Sequence, residues 1–137
     1  MATSPTIQPI QSVHHIGIRV TDEQRAVEFY ARFGFKVVYR DQHDPVVILQ
    51  NDSGVELNLV VNAPSTFDGK NRLMDVPEKV PGYTHVALRV ASIEQAVETL
   101  GAWGVPITEG PKRLGPGVSL FIRDPDANVI ELRQDST

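Results

Sequence analysis

The chain has 137 residues, 41% of them hydrophobic, and a formal net charge of −4. That length fits one compact domain with a real core. The mildly acidic charge, without a block of Lys or Arg, argues against nucleic acid and anionic membrane surfaces as partners. No apolar run reaches the roughly 18 residues of a membrane-spanning helix. There is no cysteine, which excludes disulfides, thiolate zinc sites, iron–sulfur clusters and a Cys nucleophile. Residues 1–12 are polar, hold two prolines and lack the basic-then-apolar order of a signal peptide. They read as a lead-in, and the cytoplasm is the expected location. Residues 13–137 read as one domain: modules at about 13–62 and 83–134, joined by a connector at 63–82.

In chain order, His14–Val20 alternates as a strand. Asp22–Phe33 follows at helical spacing, with Thr21 or Asp22 as N-cap and Gly34 as stop. Three short strands are expected near Lys36–Asp41, Val46–Gln50 and Val55–Val61, separated by turn residues at Asp44-Pro45 and Asn51–Gly54. After the Pro-, Gly- and Asp-rich connector, Thr84–Val90 is the next strand. Ser92 caps a helix that runs to about Trp103. Strands near Val105–Glu109, Val118–Arg123 and Asn128–Arg133 complete the chain. The order is β-α-β-β-β, twice, so the fold class is α+β, with two curved mixed sheets.

The two modules are copies. A shift of 70 residues places His15 on His85, Arg19 on Arg89, Val20 on Val90, Ala26-Val27-Glu28 on Ala96-Val97-Glu98 and Gly34 on Gly104. Later the shift becomes 75, and Val55-Glu56-Leu57 falls on Ile130-Glu131-Leu132. Side chains alternate across a strand. Ile16, Ile18 and Val20 therefore face a core, while His15, Gly17 and Arg19 share the opposite, concave face. Val86, Leu88 and Val90 repeat this against His85, Ala87 and Arg89. On the last strands Glu56 and Asn58 oppose Val55, Leu57 and Leu59; Glu131 and Arg133 oppose Ile130 and Leu132. Each concave face thus carries a His and a Glu. Such groups are costly on apolar strands when unpaired, and a divalent cation offsets that cost. Imidazole and carboxylate with open water positions suit zinc, nickel, cobalt, manganese or iron(II). His14, one residue before His15, is expected on the helix side as a structural residue. His43 reads as solvated, and Ser119 and Phe121 as pocket lining. Arg89 reads as either an anchor or a rim charge.

The segments His-His-Ile-Gly-Ile-Arg-Val (14–20), Thr-His-Val-Ala-Leu-Arg-Val (84–90) and Asp-Pro-Asp-Ala-Asn-Val-Ile-Glu-Leu (124–132) resemble the vicinal oxygen chelate superfamily. The order His, Glu, His, Glu is most similar to glyoxalase I. That resemblance implies His15, Glu56, His85 and Glu131 as ligands of one divalent metal ion, nickel or cobalt in preference to zinc. It implies a lyase or isomerase acting on a thiol-derived 2-oxoaldehyde adduct, a small-molecule substrate, through a metal-stabilised enediolate. Glu131 would take the carbon-bound proton, and Glu131 or Glu56 would return it. Arg19, with Lys112 and Arg113 on a loop, would hold the carboxylates of a glutathione-like thiol. Where glyoxalase I has an Asn four residues after the first Glu, this chain has Val60, flanked by Asn58 and Asn62. Asn58 is the substrate-binding candidate on that strand. The usual Gly of the Asp-Pro-Asp turn is Ala127. The resemblance also implies a homodimer whose sites draw His15 and Glu56 from one chain and His85 and Glu131 from the other. Epimerases of acyl thioesters, ring-cleaving dioxygenases and drug-binding resistance proteins are the alternatives within the superfamily.

Overall fold

The computed structural model describes residues 7–136. The first module holds β1 (Ile16–Arg19), α1 (Glu23–Ala31), β2 (Lys36–Arg40), β3 (Val46–Gln50) and β4 (Glu56–Val60). The second holds β5 (Val86–Arg89), α2 (Ile93–Trp103), β6 (Glu109–Leu114), β7 (Gly117–Arg123) and β8 (Val129–Asp135). The sheets have the orders β1-β4-β3-β2 and β5-β8-β7-β6. In each, the first strand runs parallel to the last, and the remaining pairs are antiparallel.

Local chemistry explains the helices. Asp22 caps α1, its carboxylate accepting the Arg25 amide at 2.8 Å, and Ser92 caps α2 through the Gln95 amide at 3.1 Å. Thr21, the other cap candidate, bonds Asp126 instead. Gly104 ends α2 at φ +72, where a left-handed residue satisfies the final carbonyls. In α1 the helix stops earlier, at Ala31, and Gly34 turns the chain three residues later.

The inward sheet faces build the core. Ile18, Val47, Leu49, Leu57 and Leu59 join Leu120, Ile122, Ile130 and Leu132, together with Ala26, Tyr30 and Leu100 from the helices, in one apolar cluster. Full burial of each such aliphatic side chain contributes about 1.5–3 kcal/mol. A polar joint fastens the modules. The Tyr30 hydroxyl donates to Asp124 Oδ2 at 2.7 Å, and Arg25 pairs with Asp126 at 3.0 Å. Burial pushes the Asp124 carboxyl up from its ordinary value, and burial beside Asp124 pushes the Tyr30 hydroxyl up as well.

The strand after α2 differs from the sequence reading. The paired strand after α2 starts at Glu109, not Val105. Val105 and Ile107 pack against the core on an extended approach, before pairing begins. Lys112 and Arg113 consequently lie in β6, opposite Ser119 and Val118, rather than on a loop. The connector has no helix or strand, yet it is tied down. Asp75 takes both terminal nitrogens of Arg123 at 2.9 Å, and Asn71 donates to the Ala127 carbonyl at 3.1 Å. Ala127 itself adopts the left-handed region, at φ 62.

Candidate metal centre

The two His–Glu pairs sit at the mouths of the two parallel strand pairs. Neither His is within a strand: β1 begins at Ile16 and β5 at Val86, one residue after His15 and His85. In the second module His85 Nε2 lies 2.9 Å from Glu131 Oε1, and Thr84 Oγ1 lies 2.8 Å from His85 Nδ1. The Ser119 hydroxyl donates to Glu131 Oε2 at 2.6 Å and accepts from Arg133 Nη1 at 3.1 Å. Phe121 stacks edge-on against the His85 ring. Glu131 is only 7% exposed, so its partners, not water, fix its rotamer. The sequence placed Ser119 only among possible lining residues. Its direct hold on Glu131 comes from β7–β8 pairing, which a single sequence does not display.

In the first module His15 Nδ1 lies 3.9 Å from Glu56 Oε2, and Gln50 Nε2 donates to Glu56 Oε1 at 2.8 Å. His14 corrects the expectation that it faces the helix. It is exposed, with its Nδ1 2.8 Å from His15 Nδ1 and 3.9 Å from Glu56 Oε2. Strand alternation does not apply to it, because the chain has not yet entered β1. Among the described residues, His14, His15 and Glu56 form a group whose ligand atoms all lie within 4.8 Å of one another. His85 and Glu131 are outside it, so the four expected ligands form two pairs within one chain rather than one cluster. The first pair opens on a cavity of about 820 Å³ lined also by Phe33, Phe35 and Arg89.

The donor set fits a divalent ion. His85 Nε2 and Glu131 Oε1, hydrogen-bonded at 2.9 Å, are an imidazole nitrogen and a carboxylate oxygen, donors that zinc, nickel and cobalt all accept. A further sign is Asn58 Oδ1, a buried side-chain oxygen with no hydrogen-bond partner.

The substrate-binding candidates are spread more widely. Arg19 Nε donates to Asn62 Oδ1 at 3.0 Å on the concave side of the first sheet. Asn58 is half-buried in β4, beside Gly17 and Ile48. Lys112 is paired with Glu109, and Arg113 is an exposed residue of β6. Arg89 pairs with Asp135.

Residues 12–132 match the family model of the Glyoxalase/Bleomycin resistance protein/Dioxygenase superfamily, and the chain belongs to that family. It is 30% identical over 129 residues to a lactoylglutathione lyase of Escherichia coli O157:H7, covering 88% of this chain and 90% of the relative. A glyoxalase/dioxygenase structure from Nostoc punctiforme shares the fold, with a TM-score of 0.75 and 21% identity over 99% of this chain and 100% of that one. The fosfomycin resistance protein FosX of Listeria monocytogenes shares it with a TM-score of 0.68 and 20% identity, over 93% of this chain and 95% of that one. No helix among the described residues is long and apolar enough to cross a membrane.

Proposed function

We propose that this protein is a metal-dependent isomerase or lyase of glyoxalase I type. Its substrate class is the adduct of a 2-oxoaldehyde with a small thiol. The observation that carries the reading is the pairing of a His with a Glu at the same end of both sheets. Likeness to a lactoylglutathione lyase over nearly the whole chain supports it.

His15, His85 and Glu131 hold the ion together with an oxygen from β4, where Glu56 is the carboxylate nearest His15. Nickel or cobalt is taken ahead of zinc on the resemblance to glyoxalase I. When bound, the ion acts as a Lewis acid toward vicinal oxygens and stabilises negative charge that develops there. Glu131 takes and returns the carbon-bound proton. Ser119 orients its carboxylate through Oε2, leaving Oε1 toward His85. Arg19, with Lys112 and Arg113, meets the carboxylates of the thiol carrier.

The complete site belongs to a homodimer of this single-domain chain. Exposed apolar residues lead into both half-sites: Val13, 78% exposed, before His15, and Tyr83, 99% exposed, before His85. A second copy covering these segments would bury them and bring the half-sites together. Subunit exchange tests this. Separately, His15→Ala and His85→Ala proteins bind little metal. Mixed and exchanged, they regain about a quarter of the wild-type sites, because half the dimers are mixed and each holds one intact site. No regain after demonstrated exchange contradicts a shared site.

A further inference from the structure

We propose that the side-chain carbonyl of Asn58 is the first module's oxygen ligand of the ion, in the place that Glu131 holds in the second. The assignment rests on the metal centre described above and refines its β4 donor. Strand pairing carries it. Gly17 and Ala87 are matching residues, each two positions after the ligand His. Gly17 pairs with Asn58, and Ala87 pairs with Glu131. On the other flank Ile48 pairs with Asn58, and Phe121 with Glu131. Asn58 and Glu131 therefore occupy the same position in the two sheets from both sides. Glu56 pairs with Gln50 and corresponds to Val129, which pairs with Arg123. It stands two residues, roughly 6.6 Å, nearer the strand start.

The hydrogen bonds agree with this placement. Both Glu131 oxygens have partners, His85 on one and Ser119 on the other. Ser119 lies opposite Arg133; the matching pair in the first module is Val46 with Val60, which offers no side-chain donor. Asn58 Oδ1 is thus buried and unpartnered. A buried carbonyl without a partner is destabilising, and a cation removes that penalty. Glu56 accepts from Gln50 through Oε1, and its Oε2 lies 3.9 Å from His15 Nδ1.

Two consequences follow. The ion carries one carboxylate fewer than a His₂Glu₂ set supplies, and so keeps more of its positive charge. Moreover, an amide cannot accept the substrate's proton at neutral pH, so Glu131 is the only base among the two mirrored positions. Proton removal and return by that one base then occur on one face, which suits a proton shift between neighbouring carbons and not the inversion carried out by a two-base epimerase.

The test is nickel affinity by competition with a chromophoric chelator, on wild type, Asn58→Leu, Asn58→Asp and Glu56→Gln, with thermal melts alongside. Removing a ligand oxygen in Asn58→Leu should weaken binding by about 30-fold or more, and more than Glu56→Gln does. Asn58→Asp keeps the oxygen, adds charge and should bind at least as tightly as wild type. An Asn58→Leu affinity within threefold of wild type overturns the assignment, as does a loss that Asn58→Asp fails to rescue or a greater loss in Glu56→Gln. Wild-type protein that takes up no nickel, cobalt or zinc overturns the metal centre itself along with this ligand.

Discussion

Ser119→Ala tests how Glu131 is held. The hydroxyl is fully buried and donates 2.6 Å to Glu131 Oε2, while the next donor, Arg133 Nη1, stands 3.8 Å away. Glu131 is too buried for water to replace the lost bond. A hydrogen bond to a charged group contributes about 1.5–3 kcal/mol. Only the part of that energy that differs between metal-free and metal-bound protein appears in affinity, and loss of a partner that orients a metal ligand typically costs about 10- to 100-fold. Arg133 Nη1 also loses its acceptor on Ser119 and is free to swing toward Glu131, recovering part of that energy. The expected loss is therefore in the lower range, about 10- to 30-fold in nickel affinity by chelator competition. A thermal melt run in parallel checks that the fold is intact. Affinity within twofold of wild type in a protein of unchanged melting temperature would refute the idea that Ser119 positions the carboxylate.

Tyr30→Phe removes the buried hydroxyl from Asp124 and should lower stability by about 1–2 kcal/mol, read as a lower denaturation midpoint in urea. An unchanged midpoint contradicts the role given to this joint. Ala127→Gly relieves a left-handed Ala and should raise the melting temperature by roughly 2–4 °C; a fall would contradict it. Asp75 is held at about 2, below its ordinary 3.8, first by its bonds from Arg123. Its folded-state value is depressed, so its contribution is present above about pH 4 and is lost as pH falls through about 2. Wild type should therefore melt above Asp75→Asn at pH 5, and the difference should close near pH 2. A difference that persists at pH 2 contradicts the link.

Much of the fold was legible because it rests on local rules. Asp22 and Ser92 announced the helix starts, and alternation along 14–20 and 55–61 separated core from concave face. The duplication exposed the two-module order. What sequence missed is non-local. The match between Val55-Glu56-Leu57 and Ile130-Glu131-Leu132 suggested that the two Glu residues correspond. Pairing instead sets Asn58 level with Glu131, a slip of two residues. A two-residue slip keeps every side chain on its own face, so alternation is blind to it. His14 was misplaced for a related reason: its orientation depends on where β1 starts, and element boundaries are weakly encoded in local pattern. The grip of Ser119 on Glu131 and of Arg123 on Asp75 joins residues 12 and 48 positions apart, beyond any local motif.

The most direct measurement is turnover of methylglyoxal plus glutathione by protein reconstituted in parallel with nickel, cobalt and zinc, with Glu131→Gln alongside. The account predicts turnover with nickel or cobalt that falls by about 10³-fold or more when Glu131 can no longer take a proton. Tight metal uptake without turnover would contradict glyoxalase I chemistry, leave the metal centre standing and direct the search to acyl-thioester substrates.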